Sequence, residues 1–462
     1  MGKAIRSKFS KIGKFMARNM LGFVIGGVVF GAAGVSAAIL MSASEVSYKD
    51  TTVQNALDDL YTKASKVTGN SKCESVAKPV LKDGLIPVNI ADNGTVTYAN
   101  SESGWYNYCK KQWANAVILN SGDYKVGDTI PESAIRAYFV WIPKYKYQLW
   151  NVDVTGTTEL AHSIDIIFDT TNTTDTSTSC ATPMTSGSTG NCSNGKYMTH
   201  PAFISMDVNG FWVGKYELTG SIDNLTVKPN SNSLRSQSVN DFFNAMYNFN
   251  RNLDSHMMKN TEWGAVAYLS HSKFGIDGEI NINNNYNSNG SVIKTGYSAK
   301  LTTQQGTYPG EYGDGGNYNV AYNTTVGYLA STTGNISGIY DMAGGAHEYM
   351  ASYRSGASIP TADAKYFDVY NASSAVNTYN YRILGDATGE MGPFINYKDG
   401  DGSARYHNKW YGDCSYFVDS TYPWFYRGGS YDDGVLAGQF YFDRSTGAAY
   451  GYVGSRLVLA AK

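Results

Sequence analysis

The C-terminal segment RGGSYDDGVLAGQFYFDRSTGAAYGYVGSRLVL, residues 427–459, decides how this chain is interpreted. Glycines recur through it, but apolar and polar residues between Tyr431 and Val453 do not alternate with the period of two that marks a plain strand. An irregular run between glycine-rich ends is typical of a loop surface that a scaffold carries. We therefore expect this segment to present exposed residues.

Upstream blocks extend the pattern and resemble the formylglycine-generating enzyme family. In order, they are GFWVGKYELT (210–219), NTEWGAVA (260–267), GIYDMAGGAHEY (338–349) and the RGGS and GSRLVL ends of the C-terminal segment. The resemblance covers residues 139–462. It implies an α+β class with a loop-rich, C-type-lectin-like fold. It does not by itself imply catalysis, because function depends on a site and not on a fold.

The chain also resembles a non-enzymatic group with this fold, the variable proteins of diversity-generating retroelements. Their C-terminal patch is mutated at adenines, chiefly in Asn codons, which never yields Lys, Glu, Met, Gln or Trp when both adenines change. Residues 430–455 contain no Lys, Glu, Met or Trp and a single Gln, Gln439. The resemblance implies a diversified patch that binds a protein or glycan outside the cell. The predicted ligand-binding residues are Tyr431, Asp432, Asp433, Val435, Leu436, Arg444, Tyr450 and Tyr452.

The family also implies a structural calcium ion in the third block. By match, Asp341 and Glu348 supply side-chain oxygens, while Gly344 and Ala346 supply backbone carbonyls. Hard oxygen ligands of this kind are those that calcium prefers. The alternative is a sharp turn in which Glu348 forms an ion pair.

Catalytic residues of the family are missing from this sequence. Its oxidases bind copper through two cysteines near the C-terminus, but no cysteine follows Cys414 here. Its sulfoxide synthases use a histidine-rich iron site, and no two of the six histidines are spaced three or four apart. We predict that the protein is not an enzyme; an oxidase or a sulfoxide synthase is the alternative.

The N-terminus predicts a membrane anchor. Residues 1–19 are basic without any acid, and residues 20–43 carry no charge over a length that can span a bilayer as a helix. The basic flank predicts a single-pass protein of the cell membrane with its C-terminal domain outside. Small residues around Ala43 leave a cleaved signal peptide as an alternative. A virion or tail-fibre adhesin is a further alternative for the whole chain.

Four further features complete the prediction. Residues 44–76 are read as a helical stalk and linker that allows oligomerisation, 77–138 as a β-rich lead-in, and 139–462 as the lectin-fold domain. The pattern over 85–99 predicts a hairpin, and the family resemblance implies two helices, over 239–250 and 261–270. Cys180 and Cys192 flank a polar insertion over 155–194 and are candidates for a disulfide. A formal net charge of −2 argues against nucleic acid as a partner.

Overall fold

The computed structural model describes most of the chain beyond residue 75. The described residues are 28–31, 34–37, 47–48, 51–52, 76–148, 163–169, 198–285, 293–298, 320–358, 360, 363–370, 406–407, 413–416, 418–460 and 462. They divide between two compact units, Met1–Ser71 and Lys72–Lys462.

Short strands make up most of the secondary structure. In chain order they are β1 (Val28–Gly31), β2 (Gly34–Ala37), β3 (Ser47–Tyr48), β4 (Thr51–Thr52), β5 (Ile86–Ile90), β6 (Val96–Tyr98), β7 (Asn115–Leu119), β8 (Thr129–Ile130), β9 (Ile135–Pro143), β10 (Tyr145–Gln148), β11 (Asp165–Phe168), β12 (Met198–Thr199), β13 (Gly210–Gly214), β14 (Thr219–Ser221), β15 (Asn224–Thr226), β16 (Ser255–Met257), β17 (Tyr297–Ser298), β18 (Val320–Ala321), β19 (His347–Arg354), β20 (Asp368–Tyr370), β21 (Tyr406–His407), β22 (Cys414–Ser415), β23 (Trp424–Arg427), β24 (Phe442–Ser445), β25 (Val453–Ser455) and β26 (Leu457–Leu459).

The predicted transmembrane helix over 20–43 is wrong. The residues described within this span form β1 and β2, which pair as an antiparallel hairpin with Phe30 opposite Val35. Among the residues that the structure describes, no helix has the length and apolar character needed to cross a bilayer. The single-pass localisation that we inferred from such a helix is therefore contradicted.

Residue types in this span explain the outcome. Val28, Val29 and Val35 are β-branched and favour strands, while Gly31 and Gly34 weaken a helix interior and permit a tight connection. An uncharged apolar run gives the same hydropathy whether it forms a helix or two short strands. The length of the run alone therefore misled the prediction.

The second unit contains an eight-stranded antiparallel sheet. Its strand order is β16-β26-β13-β9-β7-β5-β6-β8. The last strand of the chain, β26, lies between β16 and β13, so the C-terminus is part of the sheet interior. The predicted hairpin over 85–99 is confirmed, since β5 and β6 pair with Ile90 opposite Val96.

A second sheet carries the C-terminal segment. Its strands follow the order β20-β19-β23-β24-β22-β21, and β25 also pairs with β19. In the long strand β19, every residue from His347 to Tyr353 is buried. The C-terminal segment 427–459 thus supplies the last residue of β23 and all of β24 and β25 in this sheet, and β26 in the other sheet.

Three α-helices lie in the described part of the chain: α1 (Pro201–Met206), α2 (Val239–Tyr247) and α3 (Asn260–Ser270). The two predicted helices are confirmed as α2 and α3. A capping box between Ser238 and Asp241 starts α2. Every residue of α3 is buried, as expected of a helix packed on all sides.

The α+β class with a transmembrane helix in front is wrong, because sheet predominates over these three helices. The C-type-lectin-like fold stays a prediction. The stalk helix after Thr52, the pair Cys180 and Cys192, and most of the insertion over 155–194 lie outside the described residues. Cys109 is disulfide-bonded, and Cys414 is buried.

Candidate ligand-binding surface

A buried ion pair joins the two sheets beneath the C-terminal segment. Nε of Arg456 donates to Oε2 of Glu348 at 2.9 Å, and Nη2 donates to Oε1 at 2.5 Å. The same guanidinium donates to the carbonyls of Gly214 and Tyr340 at 2.8 and 3.0 Å. Both charged side chains are fully buried. Arg456 therefore ties β13 and β19 to the end of the chain.

A second buried carboxylate shapes the turn before β19. Oε1 of Glu217 accepts a hydrogen bond from the backbone N–H of Ala346 at 2.8 Å. Gly344 and Gly345 both have positive φ, and a Cβ on Gly345 would lie 2.3 Å from the same Glu217 oxygen. The GG pair is therefore required by left-handed backbone and by close approach. This turn fixes where β19 begins.

Strand β19 sends its first two side chains to opposite faces, as successive residues of a strand do. Glu348 enters the core and meets Arg456. His347 instead packs among three tyrosine rings, with centroid distances of 4.3 Å to Tyr426, 5.4 Å to Tyr441 and 5.6 Å to Tyr452. We call these four residues the His347 cluster.

The rings of the His347 cluster are arranged in parallel pairs. Tyr426 and Tyr441 are stacked at 6.4 Å with an interplanar angle of 15°, and Tyr452 is stacked on Tyr450 at 5.4 Å and 16°. His347 and Tyr441 are buried, whereas 41% of Tyr452 is exposed. The cluster therefore reaches solvent at Tyr452.

Two carboxylates contact the His347 cluster. Oδ2 of Asp433 lies 3.3 Å from Nε2 of His347, and Oδ2 of Asp443 lies 3.4 Å from the hydroxyls of Tyr426 and Tyr441. Burial is the largest cause that raises the pKa of each of the three tyrosine phenols in the cluster. The charges of Asp433 and Asp443 also raise the pKa of all three.

The pKa of His347 is lowered because burial outweighs the opposing effect of Asp433 and Asp432. At neutral pH the imidazole is therefore uncharged and the phenols keep their protons. The His347 cluster therefore consists of uncharged aromatic rings next to acidic side chains.

Five of the eight predicted ligand-binding residues lie at this surface. Tyr450 and Tyr452 form one stacked pair, and Tyr431 donates its backbone N–H to the carbonyl of Gly345 at 2.9 Å. Asp432 is exposed, and Asp433 accepts from the backbone N–H of Ser430 at 2.6 Å. Asp433 thus both stabilises its turn and faces His347.

Arg444 lies apart from the His347 cluster. Its guanidinium is 3.8 Å from the ring of Tyr416, donates to the Tyr416 hydroxyl at 2.5 Å and forms an ion pair with Asp419. Asp443 and Arg444 are adjacent in β24, so their side chains leave on opposite faces. Leu436 is half-buried in the turn Gly434–Leu436. Val435 belongs to the same turn, and its side chain lies outside the described residues.

Four residues of this surface were not predicted: His347, Tyr426, Tyr441 and Asp443. His347 stands in the third block of the resemblance, where no functional role was predicted for it. Its approach to Tyr426 and Tyr441 depends on the pairing of β19 with β23, and of β23 with β24. No spacing in the sequence encodes that pairing.

The side chains of two predicted calcium ligands, Asp341 and Glu348, already have protein partners. Both oxygens of Glu348 accept from Arg456, while Oδ1 of Asp341 accepts from Asn283 and from the N–H of Gly296, each at 2.8 Å. Within the described ranges, no three His, Cys, Asp or Glu side chains are placed to hold a metal. A dication at Glu348 would face a buried guanidinium, so the donor set as arranged does not fit calcium.

The calcium prediction is tested by thermal denaturation with calcium and with a chelator. We expect the same melting temperature in both, because Arg456 already neutralises Glu348. Asp341→Ala should lower the melting temperature equally in both solutions, since it removes the acceptor for Gly296 and Asn283. A stabilisation by calcium that disappears in Asp341→Ala would instead establish the predicted site.

Comparisons with known proteins give no assignment. No protein-family model matches the sequence, and no curated protein is significantly similar to it.

Proposed function

We propose that this protein is a ligand-binding protein that does no chemistry, and that its ligand contacts the His347 cluster together with Tyr431, Asp432 and Tyr450. The ligand is a protein or a glycan. The C-terminal segment supplies the variable part of this surface, and the turn at Gly344 and Gly345 supplies the fixed part.

One observation carries the proposal: three tyrosines from separate parts of the segment 426–452 pack around His347, with Asp433 beside the imidazole and Asp443 beside two of the tyrosine hydroxyls. Tyrosine offers a large contact area with few rotatable bonds, and tyrosines are enriched at binding hot spots. An exposed aromatic of this kind next to buried rings is typical of a contact surface, since the buried rings hold it in place.

Contacts beneath the C-terminal segment also hold it in place, which favours a ligand-binding surface over a catalytic site. The Arg456–Glu348 pair and the Glu217 contact fix the start of β19, and Asp433 caps its own turn. Residues at the exposed tips can then vary without loss of the scaffold, as a diversified surface requires. A neighbouring DNA repeat of the C-terminal coding segment that differs only at adenines, beside a reverse-transcriptase gene, would support diversification.

The proposal predicts that Tyr452→Ala with Asp432→Ser weakens binding by at least about tenfold, which is the loss expected when a hot-spot side chain is truncated. Binding of the full chain to arrays of glycans and peptides provides the measurement. The melting temperature should change little, because exposed substitutions usually cost within about 0.5 kcal/mol each.

Tyr422→Ala is the matched control, because Tyr422 is 40% exposed and packs beside Arg444 instead of the His347 cluster. This variant should bind like the wild type. Equal binding by the double variant and the wild type would place the ligand site elsewhere. Stoichiometric copper or iron in the purified protein, together with turnover of a thiol substrate, would favour the enzyme alternative.

A further inference from the structure

The chemistry around His347 defines what kind of ligand group fits there. Tyr452 exposes part of its ring, Tyr426 is half-buried and Tyr441 is buried, and both Asp433 and Asp443 act electrostatically on all three phenols. Aromatic faces attract cations through the negative potential above the ring, and the attraction grows when the site is partly desolvated. Carboxylates beside the rings add to that attraction.

His347 contributes a hydrogen-bond acceptor to the same site. Because the imidazole is neutral, it carries one proton, and the nitrogen nearest a carboxylate, Nε2, is the one that donates it to Asp433. Nδ1 is then an acceptor, and it is buried without a hydrogen-bond partner. A buried acceptor left unpaired is unfavourable, and a ligand that carries N–H donors relieves it.

We propose that the His347 cluster recognises a cationic head group with N–H donors, an alkylammonium or a guanidinium, seated against the tyrosine rings and the carboxylates of Asp432, Asp433 and Asp443. This inference rests on the proposed function and specifies its ligand chemistry. The shared head group occurs both in lysine and arginine side chains and in free amines, and the probes below separate these sources.

The experiment measures binding of small probes to the full chain by ligand-observed NMR. Acetyl-lysine amide and acetyl-arginine amide represent peptide side chains, n-pentylamine represents a free amine, and acetyl-norleucine amide is the neutral match for lysine. We expect the charged probes to bind at least about tenfold more tightly than the norleucine probe, as a desolvated cation–π contact with carboxylates allows. Preference for the amides over n-pentylamine assigns a peptide ligand, and the reverse assigns a free amine.

Two variants tie the result to the site. Asp432→Asn with Asp443→Asn should remove most of the difference between lysine and norleucine probes, whereas Tyr422→Ala should preserve it.

Other outcomes separate this inference from the proposed function. Equal binding of lysine and norleucine probes, or no binding of any charged probe, overturns the cationic head group. If array binding still depends on Tyr452 and Asp432, the ligand-binding function stands with a neutral ligand. If array binding is also independent of them, both proposals fail.

Discussion

Replacing Arg456 with leucine is expected to lower the free energy of unfolding by about 3–5 kcal/mol, the range for breaking a buried ion pair by removal of one partner. The loss arises because Glu348 stays fully buried without its guanidinium partner, and Gly214 and Tyr340 lose their donors. Burial already raises the pKa of Glu348 to about 7, and Arg456 is the group that opposes this shift. Urea denaturation followed by tryptophan fluorescence measures the change.

Two companion variants make this expectation specific. Arg354→Leu alters an arginine that is half-buried at the other end of β19, and it should change stability by no more than about 0.5 kcal/mol, as surface substitutions do. Arg456→Leu combined with Glu348→Leu removes both charges and should recover part of the loss. Recovery is partial because Asp341 and Glu217 also interact electrostatically with Arg456. A loss below about 1 kcal/mol in the single variant would refute a structural role for the pair.

Gly429→Ala is expected to lower the free energy of unfolding by about 2–5 kcal/mol, as the sum of left-handed strain and overpacking. Gly429 has a φ of +71°, and a Cβ there would lie 2.6 Å from Cβ and 2.7 Å from Cα of Ala437. The turn that presents Tyr431 and Asp432 would have to shift, so ligand binding should fall together with stability. Denaturation and array binding of the same preparation measure both effects.

Gly434→Ala is the matched control within the same loop. Its φ of +53° is also left-handed, but no atom lies within 4 Å of an added Cβ. This variant should therefore show the backbone strain alone, about 1–2 kcal/mol. Gly428→Ala, whose Cβ would meet Trp263 at 3.3 Å, should fall between the two. Equal losses at Gly429 and Gly434 would show that close packing at Ala437 does not matter.

Local patterns led to a correct prediction where the decisive interactions are local. The hairpin over 85–99 formed as predicted, because turn residues and flanking β-branched residues act over a few positions. Helices α2 and α3 formed where the family resemblance placed them. Gly428 and Gly429 of the RGGS block both have positive φ.

The N-terminal span shows where a local pattern is ambiguous. Hydropathy over 20–43 satisfied the length rule for a spanning helix, but glycine and valine content fits the short hairpin β1–β2 equally well. The C-terminal segment shows a different limit. Asp443 and Arg444 are neighbours in sequence, and only Arg444 was predicted to contact ligand. Strand β24 places the Asp443 side chain beside the His347 cluster and the Arg444 side chain on the opposite face.

By itself, the sequence determined that the segment 427–459 is glycine-framed, rich in aromatic and acidic residues and lacking a cysteine pair, because these are properties of composition and spacing. Only the tertiary structure decided that His347 packs against Tyr452 and lies beside Asp433, in a cluster that also contacts Asp443 of β24. It also decided that Glu348 meets Arg456 instead of standing open for a cation. These contacts join residues more than eighty positions apart. Strand pairing and the need to neutralise buried charge select the partners, and no short window of sequence contains that information.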